Sequence, residues 1–244
     1  MALTAHKLRL ISLLHETGAL QFGSFTLKSG RVSPYFFNAR KFDTGPWLAE
    51  LGRHYARAIR STAPRATIVF GPAYAGIALA VASAMALSKD PSKKNRTAGF
   101  LFNRKEEKTH GDRGMFVGHT PGARDRIVLV DDVITDGGTK REAVALLQQA
   151  FPGTPLEALV IAFDRQERDV EGGNALQRFS ESTGLPVVAL LTLEDLIQAL
   201  TGSAQKKAAT ASRGMPKLSR AQRDALLDYR TQYGLSAPSS SRKG

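Results

Sequence analysis

The chain contains no cysteine, which excludes disulfides and thiolate metal sites. Aromatic residues are few, 7% with a single tryptophan. No apolar run approaches the roughly 20 residues that a membrane-spanning helix needs. Acidic residues are outnumbered, 22 against 34 basic ones, for a formal net charge of +12. The excess is uneven: residues 202–244 hold nine Lys/Arg and two Asp/Glu, giving +7, and the remainder of the chain carries +5. A basic tail suits nucleic acid or another anionic surface. Here the only aromatics among its charges are Tyr229 and Tyr233, and no nucleic-acid motif is present. A solvated extension is therefore expected, with no nucleic-acid partner. Met1 to Leu10 reads as an amphipathic helix rather than a signal peptide, so the expectation is a cytoplasmic protein without a membrane association.

At 244 residues, with 42% hydrophobic and 23% charged, the chain is long enough for one α/β domain with a sizeable core. Periodicity predicts a helix over 4–17, strands over 22–27 and 31–38, and a helix from a cap at Asp43 or Thr44 to about Ser61. Strands and helices then alternate: 67–70 and 76–88, 99–103, 127–130 and 139–150, 156–163 and 174–182, 187–191 and 193–200. Alternation of this kind predicts a mostly parallel sheet flanked by helices, with ligands beyond the carboxyl ends of its strands. Arg104 to Gly122, rich in glycine and charge, reads as a long loop of functional length. After Gly202 a Ser/Ala/Lys/Gly linker leads to a short helix, marked by a capping box at Ser219 and Gln222 and a stop at Gly234. Residues 1–201 read as the functional domain and 202–244 as its extension. Every motif below precedes residue 202, so the extension is expected to be dispensable.

The most informative stretch is Arg126 to Thr139, R-I-V-L-V-D-D-V-I-T-D-G-G-T. Ile127 to Val130 has the composition of a strand buried on both faces. It ends in two carboxylates, Asp131 and Asp132, followed by Thr135-Asp136-Gly137-Gly138-Thr139 opening a helix. Such a turn aims backbone N–H groups at a phosphate, with the helix N-terminus adding partial positive charge. A bare phosphate would not favour adjacent carboxylates. A ribose 5-phosphate would, because the acids accept hydrogen bonds from the sugar hydroxyls. The plainer alternative is a buried strand whose exit is capped by Asp and Thr.

Three further segments fall at strand ends. Phe70 to Ile77, F-G-P-A-Y-A-G-I, is a tight turn before a helix and suits a second anion, though alone it is a weak signal. Asn103 to Gly111 carries Arg104, Lys105, Lys108 and His110, either a solvated charge run or a cationic lid over a departing diphosphate. A lid would exclude water from an oxocarbenium-like ribosyl centre. Leu27 to Asn38 joins a basic turn to Phe36 and Phe37, which are either core residues or an aromatic wall for a planar base. Arg165, after another strand end, either pairs with the carboxylate or carbonyl edge of a base or forms a surface ion pair with Asp164 or Glu167.

In order, K-S-G-R-x-S-P-Y-F-F-N, F-G-P-A-Y-x-G-I, N-R-K-E-x-K-x-H-G, V-D-D-V-I-T and D-R-Q-E-R resemble the orotate phosphoribosyltransferases, over roughly residues 5–200. The resemblance implies the type I phosphoribosyltransferase fold with a small N-terminal hood. It also implies transfer of ribose 5-phosphate from phosphoribosyl diphosphate (PRPP) to orotate, magnesium delivered through PRPP rather than by protein ligands, and a homodimer sharing loop 104–122 between subunits. By position, Lys105, Lys108, His110, Asp131 and Asp132 would be catalytic. PRPP would meet Lys28, Tyr74, Ala75, Arg104, Lys105, Lys108, His110 and the run Asp131, Asp132, Val133, Ile134, Thr135, Asp136, Gly137, Gly138, Thr139. Orotate would meet Lys28, Phe36, Phe37, Thr135 and Arg165. Two departures stand out. The family usually has lysine where Ala75 stands, which removes a cation from the diphosphate side. The phosphate loop reads T-D-G-G-T where many members have T-A-G-T-A, adding the charge of Asp136. No counterpart of the segment after about residue 201 is evident. The competing readings are a phosphoribosyltransferase for another base and a non-catalytic PRPP-sensing regulator.

Overall fold

Alternation of apolar side chains along the central strands determines how the layers form. Strand β3 is Ile68–Phe70, β6 is Ile127–Val133 and β7 is Leu156–Asp164. Val69, Val128, Val130, Val160 and Ala162 point to one face of the sheet and join the larger core cluster. Ile68, Phe70, Ile127, Leu129, Leu159 and Ile161 point to the other. Both sets are buried, so both faces must be covered, and helices are what a parallel sheet's crossovers supply.

The structure, a computed structural model, describes residues 3–27, 29–89, 98–108, 114–135, 137–169, 172–201 and 214–235. The six-stranded sheet has the order β5-β4-β3-β6-β7-β8, with β4 at Gly99–Lys108, β5 at Gly114–Gly118 and β8 at Val187–Thr192. All neighbours are parallel except β4 and β5. On the first face lie α1 (Ala5–Glu16), α2 (Gly45–Thr62), α3 (Ala75–Ser88) and α6 (Leu193–Leu200). On the second lie α4 (Gly138–Ala150) and α5 (Ala175–Thr183). A separate antiparallel pair, β1 (Leu20–Thr26) and β2 (Val32–Phe37), forms the small N-terminal unit. The expected α/β architecture is the one observed. Among the described residues no helix is long and apolar enough to cross a membrane.

Two expectations are corrected. Arg104 to Gly122 is not a structureless loop: β4 continues to Lys108, and β5 returns antiparallel with Leu101 opposite Gly118 and Lys108 opposite Gly114. The outer half of β4, residues 104–108, is charged rather than apolar, and β5 is only five residues long, so the pair leaves no apolar alternation to read. Of the segment after residue 201, the described part, residues 214–235, is not a solvated extension either. Its helix α7 (Arg220–Tyr233) starts at the expected capping box, where Ser219 Oγ and Gln222 cap each other's backbone N–H. It buries Leu226 and Tyr229 in the same core cluster as α1, α2 and α6. Of the helix's charged residues, Arg220, Asp224 and Asp228 are exposed.

Candidate active site

Chain order places β4 on one side of β3 and β6 on the other, so the direction of winding reverses between β3 and β6. Ligands of open α/β sheets bind at such a switch point, beyond the carboxyl ends of the strands. The residues that follow β3 and those that end β6 meet there, since Phe70 pairs with Leu129 across the two strands. The turn after β3 is set by two glycines in close approach: a Cβ on Gly71 would overlap the Gly76 carbonyl. Ala73 donates its backbone N–H to Asn103 Oδ1 at 3.2 Å, tying the turn to β4. The Ala73–Tyr74 peptide is cis. Tyr74 is 69% exposed, and the Lys105 ammonium lies 5.2 Å from its ring centroid. The structure thus brings Tyr74, Ala75 and Lys105 together at one edge of the switch point. Arg104, next along β4, donates from Nη1 to the Gly114 carbonyl at 2.9 Å across the hairpin.

The two carboxylates of β6 sit in different environments. Asp131 is buried, 5% exposed, and its Oδ2 lies 2.7 Å from Lys140 Nζ in the first turns of α4. Its Oδ1 accepts from the Asp132 backbone N–H at 2.9 Å, and its carbonyl accepts from Tyr55 Oη at 2.7 Å. Burial pushes the Asp131 carboxyl above the usual carboxylate range, and the Lys140 ammonium opposes that shift. Asp132 is half-buried, and Oδ1 accepts from the Val133 backbone N–H at 2.7 Å. Among the described residues Asp132 has no basic partner, so of the pair it is the carboxylate available to hydroxyl groups. Nothing in the motif's usual wording signals Lys140. Its spacing, nine residues after Asp131 and inside the following helix, could have done so.

Beyond β6, Ile134 is buried and Thr135 is exposed. Gly137 takes the N-cap position of α4 with φ +77, a left-handed conformation that favours glycine. Gly137 has no side chain with which to cap the helix, and the N-terminus of α4 follows Thr135 at the switch point, with Gly138 and Thr139 in its first turn. That is the geometry of a phosphate cradle.

On the far side of the site, Val133 pairs with Phe163, which puts Thr135 and Arg165 on adjacent strand exits. Arg165 is held on one edge by Glu167, with Nη2 2.7 Å from Oε1, and lies 4.6 Å over the Tyr35 ring. The ion pair with Glu167 exists, though it is partly buried rather than on the surface. Of the aromatic pair, Phe36 is 37% exposed and stacks on Phe25 at 5.5 Å, whereas Phe37 is 9% exposed and stacks on Phe163 at 5.5 Å. The strand's alternation sends one ring outward and the other into the core, so Phe36 alone presents an exposed ring. Lys28, Asp136 and His110, and the side chain of Lys108, lie outside the described residues. Among the described residues no three His, Cys, Asp or Glu side chains are grouped to hold a metal ion.

A mostly parallel sheet wound in this order, with a pair of carboxylates ending one strand beside a helix N-terminus at the switch point, puts the chain in the class of type I phosphoribosyltransferases. No family model matches the chain. It is 42% identical over 232 residues to the orotate phosphoribosyltransferase of Stenotrophomonas maltophilia strain R551-3, covering 94% of this chain and 97% of that protein. It is 40% identical over 225 residues to the Bordetella petrii orotate phosphoribosyltransferase, covering 90% and 92%. The crystal structure of the Francisella tularensis orotate phosphoribosyltransferase superposes with a TM-score of 0.72 at 31% identity, covering 92% of this chain and 98% of that one. The chain belongs to the orotate phosphoribosyltransferase family. A match over 94% of the chain must also extend past residue 201, so that segment does have a counterpart in relatives.

Proposed function

We infer that the chain carries the activity of its family: transfer of ribose 5-phosphate from PRPP to orotate, giving orotidine 5′-monophosphate and diphosphate in pyrimidine biosynthesis. The observation that carries this reading is Asp132, a carboxylate without a basic partner among the described residues, beside the N-terminus of α4 at the sheet's switch point. The α4 cradle, with Thr135, Gly137, Gly138 and Thr139, would take the 5-phosphate. Asp132 would accept hydrogen bonds from the ribose hydroxyls, and Asp131 would hold its Lys140 partner and the adjacent backbone in place. Substitution would occur at the anomeric carbon: the bond to diphosphate breaks, the bond to the orotate ring nitrogen forms, and the proton that nitrogen carried is released with the diphosphate. Arg104, Lys105, Lys108 and His110 would stabilise the charge gathering on the leaving diphosphate. A magnesium ion carried on PRPP would supply further charge neutralisation there. Asp132, with no basic partner among the described residues, would be the carboxylate of the pair to face that charge. Arg165, with the exposed Phe36 ring, would recognise the anionic planar base.

The same reading includes a homodimer in which the β4–β5 hairpin serves the partner's site. Helix α3 supports it. From Ala75 to Ser88 it has no charged residue, yet Met85 is 57% exposed. A helix that is apolar all round is ordinarily covered. The test of the activity is PRPP-dependent consumption of orotate in the presence of magnesium, with adenine, hypoxanthine and uracil as competitors. Selective loss of orotate is expected. Comparable turnover of a purine would refute the assignment of the base.

A further inference from the structure

The geometry points to Tyr229, on the C-terminal helix α7, as a positioning residue for Arg165, so that α7 is a built part of the base-recognition side of the site. The inference rests on the reading of Arg165 as an orotate contact. Tyr229 Oη lies 3.3 Å from Arg165 Nη2 and accepts from it. The same nitrogen donates to Ser33 Oγ at 3.3 Å, and Nε donates to Glu167 Oε1 at 2.9 Å. Tyr35 Oη donates to the same Glu167 oxygen at 3.1 Å while its ring lies beneath the guanidinium. The Tyr35 and Tyr229 rings meet edge to face, centroids 6.0 Å apart. One edge of the guanidinium is thereby clamped from three directions: β2, the β7 exit and α7. Its Nη1 makes no hydrogen bond among the described residues and is the edge left to face a ligand.

Tyr229 is not held there by its ring alone. The loop that carries Arg165 is zipped to the end of α7 through the backbone. Leu235 N–H donates to the Gln166 carbonyl at 2.8 Å, and Arg168 N–H donates to the Tyr233 carbonyl at 2.9 Å. Arg168 also donates from its side chain to the Gln232 carbonyl. On the other side, Arg31 of the N-terminal unit lies 5.0 Å over the Tyr233 ring and donates to the Arg168 carbonyl at 2.7 Å. An arginine has several rotatable bonds and loses much freedom when it is fixed. A site that fixes it before the ligand arrives spares binding that cost. The C-terminal helix does so at a point where the chain's own charges oppose it weakly, since Glu167 balances Arg165.

The experiment compares three variants of the full chain by steady-state kinetics with each substrate and by thermal unfolding. Tyr229→Phe removes one hydroxyl and keeps the ring. The orotate KM is expected to rise about three- to tenfold, with PRPP KM and Tm nearly unchanged, the scale of one hydrogen bond of ordinary strength, since this one is long at 3.3 Å. Leu226→Ala removes a fully buried side chain of the same helix that is not part of this network. It is expected to lower Tm and leave the orotate KM, measured well below unfolding, at its original value. Arg165→Lys tests the underlying reading, because lysine cannot reproduce the fork, and a larger rise in orotate KM is expected. If Arg165→Lys leaves the orotate KM unchanged, Arg165 is not the base contact and the role given to Tyr229 fails with it. If only Tyr229→Phe is silent, the base contact stands and the positioning role is overturned. An equal rise in orotate KM for Leu226→Ala would show that α7 acts only by stabilising the fold, which also overturns it.

Discussion

Replacing Lys140 with methionine tests the reading of the acidic pair most directly. Methionine nearly keeps the length and apolar stem of lysine and removes the ammonium, which leaves Asp131 buried with its charge unpaired. The side chains of Lys140 and Asp131 are 13% and 7% exposed, and the charged atoms are 2.7 Å apart. At an effective dielectric of about 20, their attraction is on the order of 5 kcal/mol. Desolvation offsets much of that in the intact pair. Removing one partner forfeits the attraction without recovering the desolvation, and buried pairs broken this way lose about 3–5 kcal/mol. For a chain of this length that corresponds to a Tm lower by roughly 6–20 °C. The effect should depend on pH with a definite sign. Burial already raises the Asp131 carboxyl in the folded protein, the largest influence on it, and Lys140 opposes the rise. A carboxyl raised on folding favours the folded state at low pH, where it is protonated, and costs stability as pH climbs through its folded value. Without Lys140 that cost grows, so the variant's deficit should be largest at neutral and alkaline pH and shrink on acidification. Pairing Lys140→Met with Asp131→Asn should restore much of the loss, because no buried charge then remains. The assay is thermal and denaturant unfolding across pH for the two single variants and the double. A Lys140→Met protein as stable as the parent at pH 8, or a deficit that does not change with pH, would refute the buried-pair account.

Two further outcomes follow from the site. Ala75→Lys places a cation at the exposed start of α3, beside Tyr74 and Lys105. PRPP KM should fall by up to about fivefold, the scale of an exposed charge pair, and an unchanged value would mean that Lys105 already serves that position. Asp132→Asn and Lys108→Ala should each be nearly inactive alone. Mixed and allowed to exchange subunits, they should regain part of the activity, since one site of the mixed dimer then carries only intact parts. Activity that stays absent after exchange has been verified would place the whole site within one chain.

Much of this architecture can be read from local order in the sequence. The buried run Ile127 to Val130 and the glycines after it declare a strand, a turn and a helix start because each depends only on neighbours along the chain. The alternation of strands and helices likewise implies the parallel sheet, and the capping box at Ser219 and Gln222 locates α7. What the residue order does not display is which groups meet across distance. Lys140 looks like one more helix-surface lysine until α4 folds back against β6 and buries it on Asp131. Phe36 and Phe37 look equivalent until the pleat of β2 sends one ring outward and the other onto Phe163. Charge composition makes residues 202–244 look solvated. Composition, however, averages over a helix whose polar face is wet and whose other face carries Leu226 and Tyr229 into the core. Arg165 and Tyr229 are 64 residues apart, and no pattern of spacing relates them. Only tertiary packing, which brings the exit of β7 against the last turns of the final helix, makes them one unit.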